Sequence, residues 1–143
     1  MIMIQKGGYA MKIDLVNELN SLELMNEWLD KIAVELKMAE EQCYQVKLAL
    51  EEALVNVINY AYPGKKNQPI WLEAELISDS VHFTLIDEGI PFDPTKQEIP
   101  DITVPLEERE IGGLGILLIK ELMREIHYVY KDGRNYFKMT YQL

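Results

Sequence analysis

The chain has 143 residues, 48% of them hydrophobic, with a single cysteine and 14 Lys and Arg against 24 Asp and Glu, a formal net charge of −10. That length carries one domain, residues 1–143, around a single core, and Cys43 alone excludes an internal disulfide or a thiolate cluster and is expected as a small residue in or near the core. Acidity on this scale repels phosphate backbones and anionic lipid, so a nucleic-acid or membrane-surface role is not expected, whereas a basic protein surface is a fitting partner.

The opening Met1-Ile2-Met3-Ile4-Gln5-Lys6-Gly7-Gly8 has too short an apolar run for a secretion signal, and no uninterrupted span of membrane length follows, so a cytoplasmic location is expected. Ala10 to Leu15 alternates apolar and polar residues, the mark of a first strand with one wet face. Ser21 is an N-cap candidate for a helix to about Lys37, with Leu22, Met25, Leu29, Ile32, Ala33 and Leu36 at helical spacing. A second helix begins near Ala39 or Glu40 and runs until Pro63-Gly64 ends it. Its apolar stripe is Val46, Leu50, Ala53, Leu54, Val57 and Ala61. Ile70–Leu76 and Val81–Asp87 follow as an antiparallel hairpin.

From Glu88 to Ile111 the chain carries four prolines and many charges with neither helical nor strand periodicity, a length typical of functional or disordered loops. Gly112-Gly113-Leu114-Gly115 then opens a third helix, Ile116 to about Glu125. Ile126–Tyr130 and Tyr136–Tyr141 are strands joined through Asp132-Gly133, a tight-turn signal. Strands grouped in adjacent pairs, without regular βαβ alternation, predict an α+β two-layer sandwich. Its mixed, mainly antiparallel sheet would carry three helices on one face, leaving the other to solvent or a partner.

Three stretches place chemistry-bearing residues within this frame. At about 100° per residue, Glu52, Asn56 and Asn59 fall within roughly 60° on the second helix, a polar strip bordering the apolar stripe at Ala49 and Ala53. The strip suits a metal ligand and a base at a cavity rim, and by itself it also fits a solvated helix face. Asp87-Glu88-Gly89-Ile90-Pro91-Phe92-Asp93-Pro94 stands where a buried strand ends. An ionised Asp only accepts hydrogen bonds, which suits an exocyclic amine such as adenine's, and Gly89 would let the backbone turn beneath a flat ligand. An ordinary turn has the same composition. The Gly112–Gly115 run offers backbone N–H groups at the positive end of a helix, an anion site or simply a pliant junction. Neither GxxxxGK[ST] nor GxGxxG is present, so a phosphate cradle would belong to another nucleotide fold.

Taken in order, ExxxN on a helix, DxGxPF after a strand, a long loop, GGLG before a helix and a closing hairpin resemble the Bergerat-fold ATPases, the superfamily of gyrase, MutL and histidine kinases. Glu-Glu-Ala-Leu-Val-Asn, Asp-Glu-Gly-Ile-Pro-Phe-Asp-Pro and Gly-Gly-Leu-Gly-Ile-Leu-Leu-Ile-Lys-Glu-Leu-Met most resemble the small anti-sigma factor serine kinases, over nearly the whole chain. The resemblance implies ATP and Mg²⁺ as cofactors, Asn56 as the metal ligand and Glu52 as general base. It also implies adenine recognition by Asp87 and Gly89 in the Pro91-Phe92 box, and a lid from about Thr95 to Ile111 ending in Gly112, Gly113, Leu114 and Gly115. Asn59 would join the nucleotide site beside Asn56. Partners would be a sigma factor and an anti-anti-sigma protein of the STAS type, with the kinase a homodimer.

The pattern departs from the superfamily at Pro91, in place of a second glycine, and at Tyr60, where many relatives carry His or Lys. Lys96, Arg109 and Lys120 are then the candidate cations for the γ-phosphate. A non-catalytic ATP-binding partner-switching module is the alternative from another class. A stand-alone histidine-kinase domain would need a phosphoacceptor His on a helix, and His82 and His127 both fall in predicted strands, as structural or surface residues. Met25, Met123, Tyr128, Tyr130 and Tyr141 are expected as packing groups.

Overall fold

Alternation along the strands decides which face of the sheet is buried. In a computed structural model that describes residues 2–5, 8–96 and 113–143, six strands form one sheet in the order β1-β2-β3-β4-β6-β5. They are β1 (Ile2–Gln5), β2 (Gly8–Val16), β3 (Pro69–Ile77), β4 (Ser80–Asp87), β5 (Glu125–Lys131) and β6 (Arg134–Gln142). Every neighbouring pair among the described residues is antiparallel, so the parallel component of the expected sheet is not present there. The two-layer α+β sandwich itself is borne out. The register carries Met11, Ala74, Phe83 and Met139 across one face, and Leu72, Leu85 and Phe137 in the next row.

Three helices, α1 (Asn20–Glu35), α2 (Glu40–Tyr60) and α3 (Gly113–Leu122), fill that face. Met25, Leu29 and Ile32 of α1, Val46, Leu50 and Leu54 of α2, and Ile116 and Ile119 of α3 are almost fully buried in one cluster with the strand residues. Truncating any of the large ones to alanine would cost about 2–5 kcal/mol. The small residues Ala49 and Ala53 of α2 are also buried, and α2 packs against both α1 and α3. The opposite face carries Lys12, Glu73, Glu75, Thr84 and Lys138 in register.

Several local expectations shift by a few residues for identifiable reasons. Ser21 lies inside α1, not at its N-cap: its hydroxyl donates to the Val16 carbonyl at 2.7 Å and accepts the Val16 N–H at 3.3 Å. It ties the end of β2 to the helix, so a polar residue is fully buried there with both roles of its hydroxyl used. At the other end of α1, Lys37 takes the left-handed conformation (φ 53°), the Met38 N–H reaches the Ala33 carbonyl and the Lys37 N–H reaches that of Val34. This is a Schellman stop with lysine in the place glycine usually takes.

Gly113 and Gly115, expected before α3, lie in its first turn instead, since the helix starts at Gly113, and it ends at Leu122 because Glu125 already belongs to β5. Asp132 and Gly133 both have positive φ (53° and 77°) between the paired Lys131 and Arg134, the two-residue primed turn that their sequence predicts. The N-terminal strand β1, which pairs with β2 from Ile2–Met11 to Gln5–Gly8, has no counterpart in the sequence reading. Cys43 is half-buried with Sγ 3.8 Å from Asp30 Oδ1, at the seam of α1 and α2 and not in the core.

Candidate active site

The end of α2 and the end of β4 meet through one glycine. A Cβ on Gly89 would lie 2.3 Å from the Ala61 carbonyl oxygen and 2.6 Å from its Cβ, so only glycine lets the loop after β4 lie against the helix terminus. The Ile90 N–H then donates to that Ala61 carbonyl at 2.9 Å, satisfying an acceptor the helix end leaves open. Ala61 by itself therefore requires glycine at position 89, a close approach that the sequence does not reveal. On the far side of the loop the Tyr62 hydroxyl accepts the Glu88 N–H at 2.6 Å and donates to the Pro69 carbonyl at 2.5 Å.

Between these elements opens a cleft whose lining includes Ala53, Asn56, Val57 and Tyr60 of α2, Asp87, and Ile90 and Phe92 of the following loop. Asp87 is 4% exposed. Its Oδ1 accepts the Gly89 N–H at 2.9 Å in an Asx turn and the Asn135 Nδ2 at 2.8 Å, while Oδ2 has no protein partner among the described residues. Burial pushes the Asp87 carboxyl above the usual carboxylate range, and the Asn135 and Gly89 donors pull partly back. A buried carboxylate that lines the cleft with one oxygen fixed and the other unpaired among the described residues is an acceptor awaiting a donor.

Asn135, which the sequence reading passed over, is the hub of this corner. It is 5% exposed and pairs with Asp87 across the β4–β6 register. Its Nδ2 also donates to the Ile90 carbonyl at 3.0 Å and more weakly to that of Gly89 at 3.4 Å. Its Oδ1 accepts the Phe92 N–H at 3.3 Å and the Tyr128 hydroxyl, which itself accepts the Phe92 N–H at 3.2 Å. One amide thus holds Asp87 and three successive points of the loop. Tyr128, expected as a packing group, is part of this network, with its hydroxyl proton held more tightly by burial. The signal was faint: an Asn two residues after Asp-Gly reads as part of the turn, and only strand register reveals that it pairs with Asp87.

Asn56 lines the cleft and its Nδ2 is buried without a hydrogen-bond partner among the described residues. Rotation about Cβ–Cγ exchanges the amide nitrogen and oxygen, so the group can offer either a donor or a neutral oxygen ligand to what enters the cleft. An orphaned amide costs about 1–3 kcal/mol when left unpaired. Glu52, one turn earlier, is half-buried and makes no hydrogen bond or ion pair with a described residue. Its carboxylate lies beside the first turn of α3, where a Cβ on Gly115 would stand 2.7 Å from Glu52 Oε2.

The remaining candidates fall unevenly. Asn59 is exposed and outside the cleft lining, Pro91 is exposed beside it, and Phe92 forms part of its wall at 37% exposure. Leu114 is exposed on the first turn of α3, which the Gly113 backbone begins. Gly112, Arg109 and nearly all of the lid expected over Thr95–Ile111 lie outside the described residues. Lys96 and Lys120 are exposed and neither lines the cleft, which holds no Lys or Arg among its lining residues. His82 Nδ1 lies 3.2 Å from the Thr140 hydroxyl on the open face of the sheet, a structural contact.

The cleft thus joins an unpartnered Asn on a helix, a buried strand-end Asp and a glycine-dependent loop, and sequence comparison gives the kind of domain that carries it. Residues 15–141 match the histidine kinase-like ATPase domain, and the chain belongs to that family. Serine/threonine-protein kinase BtrW of Bordetella bronchiseptica is 26% identical over 113 residues, 79% of this chain and 80% of that protein. Serine-protein kinase RsbW of Listeria monocytogenes is 32% identical over 109 residues, 73% and 69% of the two chains. The anti-sigma F factor of Clostridium beijerinckii is 27% identical over 103 residues, 68% of this chain and 72% of that one. Among solved structures, the RsbU and RsbW domains of Rv1364c from Mycobacterium tuberculosis superimpose with a TM-score of 0.67 at 16% identity. This chain is covered to 95% and spans 37% of that longer chain, so the match speaks for the fold. No described helix is long and apolar enough to cross a membrane.

Proposed function

We propose that residues 1–143 act as a single-domain, ATP-dependent protein serine/threonine kinase of the anti-sigma type, which binds a sigma factor and phosphorylates an anti-anti-sigma partner. The reading rests most on one observation: the cleft joins the free amide of Asn56 to the buried carboxylate of Asp87, with Glu52 one helical turn away. The relatives named as serine-protein kinases and as an anti-sigma factor supply the substrate class. A sigma-factor partner carries a cytoplasmic location with it.

The residues fit the nucleotide and its metal. Asp87 Oδ2 accepts from the exocyclic amine of adenine, while Ile90, Phe92, Val57 and Ala53 supply apolar surface for the ring. Mg²⁺ is a hard cation that takes few protein ligands and keeps its waters, which suits a lone Asn56 oxygen. When bound, the ion neutralises charge on the phosphates. Glu52 would take the proton from a partner Ser or Thr hydroxyl as the hydroxyl oxygen bonds to the γ-phosphorus and the bond from that phosphorus to the ADP oxygen breaks. Closing the cleft excludes water and directs the phosphoryl group to the protein hydroxyl. Gly113, Leu114 and Gly115 supply helix N-terminal N–H groups to the phosphates.

The absence of Lys and Arg from the cleft lining among the described residues favours a second reading, a non-catalytic ATP-dependent partner switch. Incubating the protein with γ-labelled Mg-ATP and a candidate anti-anti-sigma protein separates the two. Label on a partner Ser or Thr supports the kinase, and ATP-dependent capture of a sigma factor without label supports the switch. The homodimer is tested by light scattering, where a monomer mass at every concentration and nucleotide state would remove it.

A further inference from the structure

We infer that Gly115 is a positioning residue for Glu52: its missing Cβ leaves the space in which the carboxylate of the base stands. The consequence for catalysis rests on the kinase reading above, but the geometry is independent of it. A Cβ on Gly115 would lie 2.7 Å from Glu52 Oε2, and 3.6 and 3.7 Å from its Cδ and Cβ. Only the carboxylate tip is in conflict; the rest of the side chain is at ordinary contact distance.

Two other reasons for a glycine here fail. Among the described glycines only Gly64 and Gly133 have positive φ, so the backbone at 115 is ordinary helix that alanine would stabilise. An anion at the helix N-terminus uses the N–H of residue 115, which any residue but proline retains. The Cβ direction, which the N–H does not determine, leads to Glu52. The turn carrying Gly115 is held in place because Ile116 and Ile119 are fully buried, and α3 packs on α2, where Ala49 and Ala53 are buried small residues. Glu52 has no hydrogen-bonding or ionic partner among the described residues, so the wall that α3 presents is what limits where its carboxylate can stand.

Alanine at 115 therefore folds normally and displaces the carboxylate, because a flexible side-chain tip yields before a packed helix does. The experiment pairs Gly115→Ala with Glu52→Asp, whose carboxylate is one methylene shorter and stops short of the conflict. With Glu52 in place, Gly115→Ala should lower phosphotransfer about 10²-fold, the effect of misplacing a reacting group by an ångström, with Mg-ADP affinity little changed. In the Glu52→Asp background the same substitution should lower the residual transfer at least tenfold less than it does with Glu52 in place. In nucleotide-free protein, the carboxyl carbon resonance of Glu52, assigned by its loss in Glu52→Gln, should move in Gly115→Ala.

An unmoved resonance, or equal losses of transfer or nucleotide affinity in both backgrounds, overturns the inference and returns Gly115 to the phosphates alone. A wild-type protein that transfers no phosphate at all fails the kinase reading instead, and the carboxyl resonance then still decides the geometry.

Discussion

Replacing Asp87 by Asn tests the corner of the cleft at which recognition is proposed, and it should move stability and binding in opposite directions. Asp87 is 4% exposed, and burial raises its carboxyl pKa above the ordinary value of 3.8. A group whose pKa is higher folded than unfolded contributes stability below its unfolded pKa and loses it as pH rises through the folded one. Above that folded pKa the charge on Asp87 is therefore a cost to the nucleotide-free fold. Asn keeps the Oδ1 acceptor for the Gly89 N–H at 2.9 Å and the Asn135 Nδ2 at 2.8 Å, and removes the charge. Nucleotide-free Asp87→Asn should melt no lower than wild type at neutral pH, with any advantage closing as pH falls towards about 4.

The same substitution puts an N–H where adenine needs an acceptor, which should weaken Mg-ATP and Mg-ADP by about 1–3 kcal/mol, roughly 5- to 150-fold. Calorimetric titrations and melting scans across pH read both effects. Unchanged affinity would refute the adenine assignment, and a lower melting temperature at neutral pH would refute the claim that this buried charge is costly.

Three further outcomes follow from the geometry. Mg-ATP or Mg-ADP at a hundredfold excess over its dissociation constant should stabilise the fold by about 2.7 kcal/mol; no heat and no thermal shift would remove the nucleotide site altogether. Asn56→Ala removes a cleft amide that has no partner of its own, so it should hardly destabilise the nucleotide-free protein. It should lower Mg²⁺-dependent affinity and transfer together, and an unchanged Mg²⁺ dependence would exclude the metal role. Asn135→Ala strips partners from Asp87, Ile90 and Phe92 at once. It should cost on the order of 2–3 kcal/mol in denaturant melts, against about 1 kcal/mol or less for Tyr128→Phe; equal costs would mean that the amide is not the hub.

What could be read from the sequence was what depends on local pattern. Alternation placed β2, β3, β4 and β6, the helical stripe of α2 predicted its buried face, and Asp132-Gly133 fixed a hairpin. Three ordered boxes named the family that the profile match shows. What escaped was set by contacts between distant segments. Ser21 looked like a cap because its partner at Val16 belongs to a strand, and β1 was passed over because four residues gain strand character only from pairing with β2. Gly89 lies against Ala61, 28 positions earlier, a close approach that no local pattern shows. Asn135 is a hub only because β6 lies beside β4 in the register that sets it opposite Asp87.

On the function proposed, this chain transfers the γ-phosphoryl group of ATP to a protein hydroxyl with Glu52 as the base. Single-turnover transfer from labelled Mg-ATP to the partner Ser or Thr, measured for wild type and Glu52→Gln at matched nucleotide saturation, tests it directly. Gln keeps the shape and cannot accept the proton, so transfer should fall by about 10²- to 10⁴-fold while Mg-ATP affinity stays nearly intact. Equal transfer rates for the two proteins would contradict the assignment of Glu52, and no transfer by wild type that still binds Mg-ATP would make the chain a nucleotide-gated switch instead of a kinase.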